Sequence, residues 1–202
     1  MPEIHPRRDD AGQPVILTAP SAPTPLSCWD DPTAIARVVP DGPLPEQLNG
    51  LAQTPGSPQG SDDPTWRLTV PSLAIVPGKA PAAGAVVVEP DGRVWVIHPS
   101  NAFGGYRATF PKGKQEPGLS LEQTAIKETF EEAGLIITLT GWLVDLPRSS
   151  SVCRYFLARR MGGSPADMGW ESQAVSLVPR DRLPEVLHHP NDHPLLEALR
   201  HV

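Results

Sequence analysis

Phe110-Pro-Lys-Gly-Lys-Gln-Glu-Pro-Gly-Leu-Ser-Leu-Glu-Gln-Thr-Ala-Ile-Lys-Glu-Thr-Phe-Glu-Glu-Ala-Gly-Leu135 is a glycine- and proline-rich loop that runs into an acidic amphipathic segment and stops at a glycine. Ser120 followed by Gln123 has the form of a capping box, which predicts a helix beginning at Ser120. Gly134 falls where a left-handed C-terminal cap belongs. Leu119, Ile126, Phe130 and Ala133 recur at helical spacing and form the expected core face. Glu128, Glu131 and Glu132 gather on another face, since residues three and four apart are helix neighbours.

Like charges at that spacing cost about 0.2–0.5 kcal/mol per pair. A solvated surface tolerates such a cost, so one reading is simply an acidic face. The other is a site for a hard divalent cation. Mg²⁺ takes oxygen ligands, commonly one or two carboxylates with phosphate and water.

The stretch resembles the signature of the Nudix hydrolases. That pattern is a glycine, five residues, a glutamate, seven residues, then Arg-Glu-apolar-X-Glu-Glu-X-Gly-apolar. Gly113 matches the first glycine, and Lys127-Glu128-Thr129-Phe130-Glu131-Glu132-Ala133-Gly134-Leu135 matches the second half without an insertion. Three positions depart from the pattern: Leu119 replaces the first glutamate, Lys127 the arginine, and Thr129 an apolar residue. In the family the first glutamate and the arginine commonly pair and brace the loop against the helix. A lysine cannot make the bidentate fork of an arginine. The brace is therefore expected to be missing or replaced, with Leu119 packing inward, or with Glu116 or Glu122 as the partner of Lys127.

Around this stretch, the 202 residues suffice for one domain plus an extension, and the net charge of −6 gives no basic footprint for double-stranded DNA. Residues 1 to 65 are proline-rich and read as an N-terminal extension, either disordered or an arm that wraps the domain or a second subunit. Trp29 and Trp66 favour the arm, Val15-Ile-Leu17 and a short helix over Pro45–Leu51 are its expected ordered pieces, and Gly56–Pro64 is the expected linker. Residues 66 to 202 form the second unit. Arg67–Val70 and Leu73–Val76 are strand candidates, and Ala83–Glu89 and Arg93–His98 flank the turn signal Pro90-Asp-Gly92. Beyond the acidic helix come strands over Ile136–Val144, Val152–Arg159 and Ala174–Val178, a short helix from Asp181 to His188, and a terminal helix capped by Asn191 or Asp192. This order predicts an α+β fold, and the resemblance implies a Nudix-type α/β/α sandwich with a mixed β-sheet.

No apolar run is long enough to span a membrane, and no secretory leader is recognisable at the N-terminus, so a cytoplasmic location is expected. Cys28 and Cys153 have no metal or redox spacing. The resemblance implies Mg²⁺, with Mn²⁺ as the alternative, and cleavage of a diphosphate linkage in a phosphorylated small molecule. Carried onto this chain, it makes Glu128, Glu131 and Glu132 metal-binding and catalytic, with Gly113 offering a carbonyl or a close approach. Lys112, Lys114, Arg107 and Tyr106 are substrate-binding candidates, Arg148 has similar standing, and Glu171 is an additional acid. A homodimer is compatible with the arm. Two functions stay open: a pyrophosphohydrolase, or a catalytically weak Nudix-fold module that binds a nucleotide.

Overall fold

The computed structural model describes residues 2–57, 68–101 and 105–202. Proline keeps the N-terminal strands short. β1 (Ile4–Arg8) and β2 (Pro14–Ile16) form an antiparallel hairpin. The Asp9 carboxylate closes its turn by accepting from the amides of Ala11 and Gln13. The single turn α1 (Ser27–Asp30) inserts Trp29 into the core, where its ring lies 5.9 Å from that of Trp95. The Arg93 guanidinium donates to the carbonyls of Cys28, Trp29 and Asp31, so the end of this turn is satisfied by a side chain of the next unit. β3 (Ala36–Val38) is an outer strand of a three-stranded sheet.

The short helix expected over Pro45–Leu51 is instead a tight hairpin of β4 (Gln47–Leu48) and β5 (Leu51–Ala52). Asn49 and Gly50 have φ of 51° and 78°. Two successive positive φ values make the primed turn that Asn-Gly favours, and a helix cannot contain them. Trp66, Arg67 and most of the expected linker lie outside the described residues. Residues 68–76 form no strand, although Leu68 and Val70 pack against the core.

β6 (Ala80–Val87) and β7 (Arg93–Pro99) follow, joined by the expected turn with Gly92 at φ 86°. They do not continue as a hairpin. After one bridge, Val88 to Val94, β6 and β7 enter different sheets. The remaining elements are β8 (Lys112–Lys114), α2 (Leu121–Ala133), β9 (Leu135–Pro147), β10 (Ser151–Gly163), β11 (Ser172–Pro179) and α3 (His193–Leu199). The short helix expected from Asp181 to His188 is instead a 3-10 turn over Arg180–Glu185. One sheet has the order β8-β6-β10-β9 and is mixed, because β6 and β10 run parallel while the other pairs are antiparallel. The other has the order β3-β11-β7 and is antiparallel.

Alternation along β6 explains the layers. Ala83, Ala85 and Val87 join the core that includes Ala125 and Ala133 of α2. Ala82 and Val86 join the opposite core, which includes Leu195 and Leu199 of α3. A strand covered on both faces reads as a continuous apolar run. The result is an α+β fold in which helices cover both faces of a mixed sheet.

Capping fixes the position of α2. Ser120 Oγ accepts from Gln123 N at 3.1 Å, Gln123 Oε1 accepts from Ser120 N at 2.8 Å, and Gly134 ends the helix at φ 67°. The buried face is rotated from the expected one. Thr124, Ala125, Thr129, Glu132 and Ala133 are buried, whereas Phe130 is half-buried. Small side chains let the helix lie close to the alanine-rich β6, where a phenyl ring would not fit. Thr129 is fully buried because its hydroxyl donates to the Ala125 carbonyl at 2.7 Å.

Candidate active site

Three elements converge on one end of α2. The helix contributes Glu128 and Glu132, one turn apart on its sheet-facing side. The edge strand β8 supplies Lys112, Gly113 and Lys114. The turn before β11 supplies Trp170 and Glu171. Carboxylate oxygens of Glu128, Glu132 and Glu171 lie within 4.8 Å of one another.

Each member is held differently. The Lys112 amide donates to Glu132 Oε2 at 2.6 Å. Glu132 is buried, and burial pushes its pKa up to about 8 against the opposing pull of Lys112. Burial likewise raises Glu128 to about 7, although Lys127 works the other way. Burial and Asp10 raise Glu171. Gly113 makes the arrangement possible, because a Cβ there would overlap the Glu128 carboxylate. Of the carbonyl and the close approach expected of Gly113, the close approach is the one the geometry uses.

Glu131 does not join this group. Its carboxylate lies 2.5 Å from Lys127 Nζ, which also meets Glu116 Oε1 at 3.0 Å. Partial burial disfavours the charge on Lys127, but the bonds to Glu131 and Glu116 outweigh it and raise its pKa. The loop is thus braced to the helix through Glu116, three positions before the place the family pattern uses. Leu119 is half-buried, and Glu122 is not the partner.

Glu132 and Glu171 line a cleft of 380 Å³ together with Tyr106, Lys112, Lys114, Arg148, Trp170 and His189, and Glu128 lies beside them behind Gly113. Tyr106 stacks on His189 at 3.9 Å between centroids and accepts at its hydroxyl from Asn191 Nδ2 at 3.0 Å. Lys112 Nζ lies 5.8 Å from the Tyr106 ring centre. Arg148 is mostly buried, donates to the Asn191 carbonyl and to Tyr155 Oη, and lies 3.5 Å from Asp192. It ties down the segment carrying His189 and Asn191. Asp192 occupies the N-cap position of α3, but its side chain faces Arg148 and makes no capping hydrogen bond.

Arg107 is the substrate candidate that the structure takes elsewhere. Its carbonyl is bound to His98 Nδ1 at 3.0 Å, and it lines a second cleft with Arg37 and His98. His98 is itself buried. Sequence reasoning missed His189, Asn191 and Trp170 as cleft residues. His189 had a signal, since a histidine before Pro-Asn-Asp can cap a turn, and its Nδ1 accepts from Asn191 N at 3.1 Å. Nothing in the sequence marked its ring as a partner of Tyr106.

The glycine-bounded loop and helix, with carboxylates aimed at a cleft beside a mixed sheet, are matched by the model of the NUDIX domain over residues 78–199. The chain belongs to the Nudix family. It is 35% identical over 77 residues to the RNA pyrophosphohydrolase of Caulobacter vibrioides (strain NA1000 / CB15N), covering 35% of this chain and 45% of that one. It is 34% identical over 98 residues to a candidate mutator protein, MutT4, of Mycobacterium tuberculosis (strain CDC 1551 / Oshkosh), covering 45% of this chain and 40% of the other. The match thus spans less than half the length of either relative. The crystal structure of a NUDIX hydrolase from Nitrosomonas europaea superimposes with a TM-score of 0.51 at 25% identity, over 62% of this chain and 73% of that chain. The match to the family model begins at residue 78 and leaves the N-terminal hairpin, α1 and β3 outside it. Among the described residues, no helix is long and apolar enough to cross a membrane.

Proposed function

We propose that this Nudix protein is a Mg²⁺-dependent pyrophosphohydrolase that cleaves a diphosphate linkage in a nucleoside diphosphate derivative or a related polyphosphate, with Mn²⁺ as an alternative cation. The observation that carries this reading is the convergence of Glu128, Glu132 and Glu171 within 4.8 Å, with Glu132 and Glu171 at the wall of a cleft that also presents lysines.

The donor set fits a hard cation. It offers carboxylate oxygens only, and burial raises the pKa of each member, with neighbouring carboxylates adding to the effect and Lys112 and Lys127 opposing it. Glu128, Glu132 and Glu171 would hold the ion. The chemistry such an ion supplies is neutralisation of phosphate charge and a lowered pKa for water. Lys112 and Lys114, on either side of Gly113, meet phosphate oxygens at the mouth of the cleft. Glu171 is the most solvent-accessible of the three, so it is the member that bulk water reaches first. Glu131 is assigned to the brace with Lys127. Tyr106, already stacked on His189, forms the wall against which a planar group packs. Free Cys28 and Cys153 agree with a cytoplasmic setting.

A phosphate-release screen with Mg²⁺ and Mn²⁺ tests the proposal. Its panel is ADP-ribose, dinucleoside polyphosphates, nucleoside triphosphates, triphosphorylated RNA ends and diphosphoinositol phosphates. Metal-dependent turnover of at least one is expected. Tight binding without turnover across the panel would instead identify a binding module.

A further inference from the structure

The segment that presents Glu171 is held from two sides, by Ser100 at the end of β7 and by the N-terminal arm. Three consecutive carbonyls are each bound. Ser100 Oγ donates to Trp170 O at 2.7 Å, Ser100 N to Glu171 O at 2.8 Å, and His5 Nε2 to Ser172 O at 3.0 Å. Ser100 is in turn held by Thr18, whose amide donates to the Ser100 carbonyl at 3.1 Å. Gln173 spans the next stretch of the arm, donating to Ala19 O at 2.6 Å and accepting from Ser21 N at 2.7 Å. At the hairpin tip, Asp10 Oδ1 accepts from the Trp170 indole at 3.0 Å.

His5 is the buried residue of the hairpin in this set. Its Nδ1 accepts from Arg7 N at 2.9 Å, which leaves the proton on Nε2, aimed at Ser172. On the other side, Gly169 N donates to Glu131 O at 2.7 Å, fastening the same turn to α2. Glu171 is therefore fixed by Ser100 and by the helix that carries Glu128 and Glu132, while its two neighbours, Trp170 and Ser172, are tied to a hairpin that lies outside residues 78–199. A turn without regular hydrogen bonding would otherwise let its carboxylate drift, and an error of about 1 Å at such a site costs on the order of 10²-fold.

We propose that the hairpin of residues 4–16 is a positioning element of the active site, acting through His5 and Asp10 to hold Glu171 beside Glu128 and Glu132. This rests on the reading of those three carboxylates as the cation site. His5 touches neither substrate nor cation, and its effect runs through Glu171 alone.

The test is a double-mutant cycle read as Mn²⁺ affinity of the full-length, metal-free protein, with thermal melting as the fold control. Glu171→Gln weakens Mn²⁺ binding by about tenfold or more, and His5→Ala weakens it by about tenfold, the scale seen when outer partners of metal ligands are removed. His5→Gln, which keeps a donor near Ser172, restores most of the affinity. In the Glu171→Gln background, His5→Ala adds nothing. Asp10→Ala changes an exposed residue and avoids a folding defect. It weakens affinity by about threefold, again only when Glu171 is present. Wild-type affinity in both His5→Ala and Asp10→Ala, or losses that persist undiminished on Glu171→Gln, overturns the positioning role. Wild-type affinity in Glu171→Gln itself overturns the site reading, and the hairpin's role with it.

Discussion

Lys127 Nζ stands between two carboxylates, 3.0 Å from Glu116 Oε1 in the loop and 2.5 Å from Glu131 Oε2 on the helix. The loop and helix are therefore joined by an ion pair although Leu119 has no charge. Both carboxylates are about half-exposed, so the pair is worth at most about 1 kcal/mol to stability. Its value lies in aligning Gly113 with Glu128. Glu116→Ala lowers turnover several-fold with little change in melting temperature. Adding Leu119→Glu and Lys127→Arg to that variant recovers the lost turnover. A steady-state comparison of the three proteins checks this, and no recovery shows that Leu119 has its own packing role.

Gly113→Ala separates the close approach from backbone strain. A Cβ overlaps the Glu128 carboxylate, and β8 is a short edge strand with room to keep its ladder. The fold persists while Glu128 moves, so turnover falls by about 10²-fold. Circular dichroism alongside kinetics reads both halves of this prediction.

Glu89 and Arg160 form a fully buried ion pair at 2.6 Å. Trp95 Nε1 and Asn49 Nδ2 also donate to Glu89, and Arg160 donates to Leu48 O. The network joins the β4–β5 hairpin to the main sheet. Glu89→Ala strands a buried guanidinium and costs about 3–5 kcal/mol, measurable by urea unfolding. The double change Glu89→Gln with Arg160→Met costs less than either single change.

Acid sensitivity of the fold is expected from His98. Burial lowers its pKa to about 4, with Arg37 adding to the effect and the Arg107 carbonyl opposing it. The neutral ring is bound at both nitrogens, to Arg107 O and to Ser176 Oγ. The folded value lies below the unfolded one, so this contribution is complete above about pH 6.5 and lost as pH falls towards 4. It amounts to about 3 kcal/mol. Unfolding free energies measured across that window fall for the wild type, and His98→Gln flattens the slope.

The helix, its caps and the later strands were legible because their signals are local. Ser120, Gln123 and Gly134 act on neighbouring backbone, and strand alternation needs no partner to be seen. The rotation of α2 was not legible, since apolar periodicity ranks Phe130 above Thr129 and cannot know that an alanine-rich strand lies opposite. The β4–β5 hairpin carried its signal in Asn49-Gly50, but the surrounding prolines and leucines outweighed it. Glu128 and Glu132 were visible through the family pattern. Their union with Glu171, the separate path of Glu131, and the hold of His5 on Ser172 are contacts across many residues, and no spacing encodes them.

The central claim is that the carboxylates of Glu128, Glu132 and Glu171 form a cation site that drives diphosphate cleavage. Its most direct test compares wild type with Glu132→Gln on a substrate from the panel, with Mg²⁺ and with EDTA. Glutamine keeps an acceptor for the Lys112 amide and removes only the charge. The account predicts a loss of about 10²–10³-fold in turnover for Glu132→Gln, with no loss of fold, and no wild-type turnover in EDTA. Wild-type rates from Glu132→Gln, or undiminished turnover in EDTA, contradict it.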